Sequence, residues 1–266
     1  FAVGDFVSGE GHLYCGYCKM CRTGQGHVCE NWVGLGYDVD GCFAEYMVLP
    51  DRNVWKNHPS LSPEVCAIQD PLGNAVHSVF ATDCVGKTVA VFGMGPVGLL
   101  SVAVLKAIGA REIIAVEKGN QYRMDLARKV GATVVINADE VDDIPAAIRT
   151  IVGGKGVDVS MEMAGAQRSI IDAIECVRPN GHAVLLGIPN GSVPFKVTED
   201  VIFKSLHIHG ITGRAIWGTW YRMAALLESG HLDLTPIITH SFPFTEYQKG
   251  FDIMAKGTCG KVILTF

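Results

Sequence analysis

The sequence has no surplus of positive charge. Its 266 residues carry 22 Lys and Arg against 27 Asp and Glu, a formal net charge of −5. A chain so balanced has no electrostatic footprint for nucleic acid or for an anionic membrane surface. It also lacks an unbroken apolar run. The longest uncharged stretch, Thr88 to Leu105, is interrupted by Gly93, Gly95, Pro96 and Gly98, so it reads as strand, turn and helix rather than a bilayer span. Residue 1 is Phe, and the first residues have neither the basic region nor the apolar core of a signal peptide. Internal repeats and low-complexity linkers are absent as well. A disulfide framework is missing too: nine cysteines are an odd number, and five are scattered singly. That usage points to a reducing cytoplasm.

What is present is the composition of a compact globular protein, 48% hydrophobic and 18% charged, long enough for one large domain or two ordinary ones. The first 70 residues are rich in Gly, Pro and short β-type runs such as "FAEYMVL" (43–49) and "RNVWK" (52–56). After Asp70 the texture changes. Short apolar runs ("TVAVFG", "EIIAVE", "TVVIN", "VDVSMEM", "HAVLLGI", "LHIHGI") alternate with helical patterns at 97–108, 120–130, roughly 140–152 and 167–176. Such alternation predicts βαβ units and a doubly wound parallel sheet covered on both faces. A further helix is expected at 220–230, followed by strand-like "PIITHSF" and "GKVILTF".

Gly93-Met94-Gly95-Pro96-Val97-Gly98 follows the first of these strands and opens a helix, and Glu117 ends the next strand about twenty residues on. In that context the pattern is a dinucleotide-binding fingerprint. Gly93 permits the tight turn, Gly95 lets the backbone approach a pyrophosphate, and Gly98 lets helix and strand pack closely. A carboxylate at Glu117 favours NAD over NADP, because it bonds ribose hydroxyls and repels a 2′-phosphate. Arg123 is placed to lie over the adenosine end, or simply in solvent.

Cys15, Cys18, Cys21 and Cys29 follow the spacing C-x2-C-x2-C-x7-C. Four thiolates suit a closed tetrahedral zinc, which contributes folding free energy and no reactivity. An iron–sulfur cradle and disulfides are the alternatives; the long last gap and the absence of a following Pro weigh against the first. Cys42, Cys66, Cys84, Cys176 and Cys259 are expected to be buried small hydrophobes.

A cysteine lobe, a β-rich region and then a nucleotide-binding sheet resemble the zinc-containing medium-chain dehydrogenases. Within them the wording is similar to the L-threonine 3-dehydrogenase family: "GEGHLYCGYCKMCRTGQGHVC", "DGCFAEYMVLP", "QDPLGNAVH", "GITGRAIWGTWYRMAALLESG" and "PIITHSFPFTEYQKGFDIMAKGTCGKVIL" occur in that order. The resemblance implies a GroES-like catalytic domain, partial here, at 1–73 and 216–266, and an NAD-binding Rossmann domain at 74–215. It implies NAD-dependent oxidation of the C3 hydroxyl of L-threonine, with a structural zinc on the four cysteines and a second, catalytic zinc in the full-length enzyme. By the same resemblance Val97, Glu117 and Arg123 are NAD contacts, as are Leu186, Gly187 and Ile188 at one strand end and Ile211 and Thr212 at another. Asp70 matches an acidic position beside the catalytic zinc, a ligand in some states or a member of the proton relay. His12 matches a histidine on the substrate side of that metal, and Arg214 is a candidate for the substrate carboxylate. His77 and His240 read as structural. A homotetramer built through sheet edges, with "LHIHGITG" (206–213) as an edge segment, follows from the resemblance alone.

The departure from the family lies at the beginning. Its catalytic zinc ligands and relay residues stand upstream of the "VGDFV" turn, and this sequence begins two residues before that turn. The expectation is therefore an N-terminally incomplete dehydrogenase that binds NAD but does not oxidise threonine by itself. A polyol or simple alcohol dehydrogenase, and a non-catalytic NAD- and zinc-binding module, are the rival readings.

Overall fold

The computed structural model describes all residues from Phe1 to Phe266. Its centre is a six-stranded sheet of β1 (Thr88–Phe92), β2 (Glu112–Glu117), β3 (Val134–Asn137), β4 (Val157–Glu162), β5 (Val177–Leu185) and β6 (His207–Gly210), in the order β6-β5-β4-β1-β2-β3. Every pairing is parallel. The apolar runs explain why: all five residues of β1 are buried, as only a strand covered on both faces can be.

Side chains alternate between two cores. Val89, Val91, Ile113, Ala115, Val159 and Met161 point to one, and Ala90, Phe92, Ile114, Val116 and Ile136 to the other. The first core is closed by α1 (Gln69–Val79), α2 (Pro96–Ala107), α3 (Gln121–Val130) and α6 (Gly218–Glu228); the second by α4 (Ile144–Ile151) and α5 (Gln167–Glu175). The chain leaves β1 towards β2 and β3, then returns to place β4 on the other side of β1. That reversal opens a crevice beyond the C-terminal ends of β1 and β4, where open α/β sheets bind ligands.

The expected helices form, with ends moved by local caps. The helix expected over 140–152 begins only at Ile144, because the Asp143 carboxylate accepts a hydrogen bond from the Ala146 amide at 2.8 Å and fixes the first turn there. Outside the sheet the chain forms small pairs: Val7–Gly9 with Val54–Lys56, His12–Leu13 with Val33–Gly34, and a parallel pair of Ile238–Pro243 with Lys261–Thr265. The strand expected over 43–49 is not there. β propensity needs an adjacent edge to accept its backbone groups, and these residues have none: Phe43 and Tyr46 stand exposed. Cys42 is likewise exposed rather than buried, whereas Cys66, Cys84, Cys176 and Cys259 are buried as expected. No helix is long and apolar enough to cross a membrane.

Leu100, fully buried in α2 within the first core, offers a direct check of this packing. Leu100→Ala should lower unfolding stability by about 2–5 kcal/mol in urea titration; a change below about 0.5 kcal/mol would contradict the burial.

Candidate functional site

The glycine loop is shaped by what each glycine touches. Gly93 has φ +88°, and a Cβ there would stand 2.7 Å from that of Ala164; a Cβ on Gly98 would meet the Gly93 carbonyl oxygen at 1.9 Å. Gly95 is different: nothing lies within 4 Å of its would-be Cβ, so the backbone is open to a ligand. Gly95 also precedes α2 as its N-cap and caps it with no side chain, which leaves the first N–H groups of α2 free for an anion. Val97 lies half-buried in the first turn.

Glu117, at the end of β2, turns its carboxylate back onto this loop and accepts a hydrogen bond from the Met94 amide. Arg123 Nη1 lies 3.9 Å from Glu117 Oε1, and its buried Nε has no partner. An orphaned guanidinium nitrogen beside a carboxylate at the crevice suits a ligand that supplies an acceptor. Leu186 and Gly187 donate their amides to the Glu162 carbonyl, Ile188 projects into solvent, and Ile211 donates to the Leu185 carbonyl. Thr212 follows, exposed. The structure thus brings all the expected cofactor residues to one rim, the C-terminal ends of β1, β2, β5 and β6. Glu162 was not singled out from sequence. Its fully buried carboxylate accepts from the Ala164 and Gly165 amides and from Ser169 Oγ, fastening the turn beneath Gly187.

The four cysteines converge at the other end of the lobe. Their sulfurs stand 3.5 Å (Cys18–Cys21), 3.8 Å (Cys18–Cys29) and 3.9 Å (Cys15–Cys21) apart, and none is bonded to another. Four sulfurs about 2.3 Å from one zinc stand about 3.8 Å from each other. Backbone amides of Cys15, Cys18, Cys21 and Asn31 donate to these sulfurs. Burial raises the Cys15 thiol pKa, but the amides of Cys18 and Tyr17 outweigh it and bring it to about 6; burial and neighbouring sulfurs push Cys21 to about 12. Thiols that cannot all ionise in one small volume fit a divalent cation that neutralises them. This is the one group of three or more His, Cys, Asp or Glu donors close enough together to hold an ion. The residues around Asp70 gather no second set, so they do not fit a second ion by themselves.

Between the lobe and the sheet lies a buried charge network that sequence reasoning missed. The fully buried Glu10 carboxylate receives Arg214 Nε at 2.7 Å and Nη2 at 2.6 Å, Trp220 Nε1 at 2.7 Å, and His12 through its amide at 2.8 Å and Nδ1 at 2.9 Å. Arg214 Nη2 also reaches Asp70 Oδ2 at 2.6 Å. Arg214 is 1% exposed, with Nε and Nη2 committed to carboxylates and Nη1 donating to Asn74 Oδ1 at 3.4 Å, so the structure gives it no open face towards a substrate carboxylate. Asp70 sits in the first turn of α1 with its side chain 53% exposed. It looks into a cleft of about 1280 Å³ whose walls include Phe6, Gly11, Cys42 and Trp220. His12 lies against Gly213, directly after the Ile211–Thr212 segment, and His77 Nδ1 bonds the Gly213 carbonyl at 3.0 Å. Lys261, also unforeseen, is held below its usual pKa by burial, which the nearby Asp70 and Cys259 partly oppose. No sequence signal marked Glu10 or Lys261, since burial of a charge is a tertiary fact.

A glycine-loop Rossmann sheet joined to a zinc-type cysteine lobe defines a zinc-containing nucleotide-dependent dehydrogenase. The profile "Zinc-binding dehydrogenase" matches residues 96–229 and "Alcohol dehydrogenase GroES-like domain" matches residues 1–59. Among solved structures, alcohol dehydrogenase TADH from Thermus sp. ATN1 superposes with a TM-score of 0.91 at 30% identity, covering 98% of this chain and 77% of that one. A short chain alcohol dehydrogenase from E. coli CFT073, complexed with NADH, gives 0.90 at 25% identity over 99% and 77%. The L-threonine 3-dehydrogenase of Caldanaerobacter subterraneus subsp. tengcongensis is 49% identical over 98% of this chain and 75% of its own length; that of Bacillus subtilis is 43% identical over the same shares. The chain belongs to the L-threonine 3-dehydrogenase family of the zinc-containing medium-chain dehydrogenases.

Two outcomes follow from the geometry. Metal analysis of the purified protein should give one tightly held zinc per chain, and its removal by a chelator should lower the melting temperature and expose residues 15–31 to proteolysis; unchanged melting without metal would contradict a structural zinc. Burial raises the Glu10 pKa, but the His12 bonds, the Arg214 charge and Trp220 outweigh it and leave the carboxyl below its usual value. Because the folded value is the lower one, this contribution to stability is complete above the unfolded pKa of about 4.3 and is lost as pH falls through the folded value. Glu10→Gln should be less stable at pH 7 and show a shallower loss of stability below about pH 4.3; an acid limb as steep as the wild type would contradict it.

Proposed function

We propose that the protein is an NAD-dependent dehydrogenase acting on the C3 hydroxyl of L-threonine, with 2-amino-3-oxobutanoate as product. The observation that carries this reading is 43–49% identity to L-threonine 3-dehydrogenases across 98% of the chain, joined to the linking of Asp70 and His12 through Arg214 and Glu10. The free N–H groups of α2 bind the pyrophosphate, and the Glu117 carboxylate takes the adenosine ribose hydroxyls and repels a 2′-phosphate. Arg123 flanks that carboxylate. The segments Leu186–Ile188 and Ile211–Thr212 hold the nicotinamide end. When bound, NAD⁺ would supply the acceptor for the C3 hydride, and Asp70 and His12 are the groups placed to hold the hydroxyl proton. The four cysteines hold a closed structural zinc and touch no reacting atom. The residues around Asp70 gather no donor set that would hold a second zinc.

The division into a GroES-like part at 1–73 and 216–266 and a nucleotide-binding part at 74–215 is part of the proposal; the profile match at 1–59 supports its first part, and the match at 96–229 supports the nucleotide-binding part while running past its boundary at 215. A homotetramer in the cytoplasm belongs to the same proposal, supported by β6 being an open sheet edge.

The test is a panel of L-threonine, sorbitol and simple alcohols with NAD⁺ and zinc. We expect saturable NAD⁺ binding and much weaker NADP⁺ binding. In saturation-transfer NMR, L-threonine should contact the NAD⁺-loaded protein in preference to the others. Preference for a polyol or simple alcohol overturns the substrate assignment; threonine-dependent NADH formation supports it.

A further inference from the structure

We infer that Glu10 is the positioning residue of the substrate side, fixing the tautomer of His12 and, through Arg214, the carboxylate of Asp70. The inference concerns the site proposed above and rests on that reading for its catalytic meaning, but not for its geometry.

The donor inventory settles the proton. Oε1 of Glu10 faces the His12 amide, Arg214 Nη2 and His12 Nδ1, and Oε2 faces Arg214 Nε and Trp220 Nε1. The amide, the guanidinium nitrogens and the indole are donors only. A carboxyl surrounded by them has no use for a proton of its own, and the adjacent guanidinium holds it ionised. His12 Nδ1 therefore donates to the carboxylate. In neutral imidazole that leaves Nε2 as the bare acceptor. Carboxylate–histidine pairs of this kind fix ring orientation as well as tautomer, wherever the other nitrogen has work to do.

The direction of Nε2 gives this a meaning. A Cβ on Gly213 would stand 2.8 Å from His12 Cε1 and 2.9 Å from Nε2, so the free edge of the ring is pressed against the residue that follows Ile211–Thr212. The same carboxylate clamps the far side of the site. Arg214 is bound by both of its oxygens, and the guanidinium is thereby aimed at Asp70 Oδ2 at 2.6 Å. Gly73 makes this reach across α1 possible, since a Cβ there would lie 2.5 Å from Arg214 Cδ. One buried carboxylate thus aligns a bare imidazole nitrogen and an aspartate, two groups able to hold a proton near the cofactor rim.

The test uses the zinc- and NAD⁺-loaded full chain and ¹⁵N NMR of the histidine rings, with His12 assigned by its loss in His12→Asn. Wild-type His12 should be the Nδ1–H tautomer, favoured by at least about tenfold for a charge-assisted bond of this geometry. Glu10→Met, which has no oxygen to accept the Nδ1–H, should remove that preference. Arg214→Lys, which breaks the forked pairing but spares the His12 contact, should lose stability and keep the tautomer, a split that a merely structural carboxylate would not produce. Wild-type His12 found as the Nε2–H tautomer overturns the inference without any variant, and so does an unchanged tautomer in folded Glu10→Met. Should the substrate panel fail while the tautomer result stands, the functional reading falls and the positioning role of Glu10 remains.

Discussion

The pairing of Glu10 with Arg214 is the interaction on which the site depends. Glu10 comes from the lobe and Arg214 from the turn that follows β6, and both are removed from water. Desolvating two charges is expensive, and their attraction offsets the cost only when geometry is good and every remaining hydrogen-bonding position is filled. Here the carboxylate has five N–H contacts, and the guanidinium reaches a second carboxylate, Asp70, on α1. Lobe, α1, α6 and the end of β6 are therefore tied at one point. Removing either member alone would strand a buried charge, at a cost of about 3–5 kcal/mol. The mid-helix Gly73 fits this account: glycine weakens a helix by about 1 kcal/mol, yet any larger residue would displace the Arg214 side chain.

The protein separates stiffness from reactivity. The cysteine quartet is closed, with sulfurs at tetrahedral spacing and backbone amides fixing them, so an ion there has no position left for a substrate. The crevice is the opposite: open over Gly95, uncapped at α2, with an unpartnered Arg123 nitrogen. His12 stands between the two regions, three residues before the first cysteine, with its ring against the segment that closes the cofactor rim. The lobe thus holds the His12 ring against Gly213 at the end of that rim.

Much of the fold was legible. Strands such as Thr88–Phe92 are buried on both faces, so their apolar runs declare a parallel sheet, and the glycine spacing declares the turn after β1. The cysteine spacing was equally plain, because two-residue gaps place thiols around one ion whatever the rest of the chain does. Residues 43–49 misled, since their β-type composition says nothing about whether a strand edge lies beside them. Arg214 misled for a related reason. An arginine near a substrate site is ordinarily read as a ligand for the substrate, and only the positions of Glu10 and Asp70 reveal that its donors are already engaged.

The sequence alone determined the class of protein, the nucleotide loop, the cysteine quartet and the family, because each rests on local spacing or on wording that runs along the chain. The tertiary structure alone decided what Glu10, Lys261 and Glu162 do, that Arg214 faces inward, and which nitrogen of His12 is free. Burial and hydrogen-bond partnership join residues about two hundred positions apart, as Glu10 and Arg214 are, and no periodicity or motif encodes a contact at that distance.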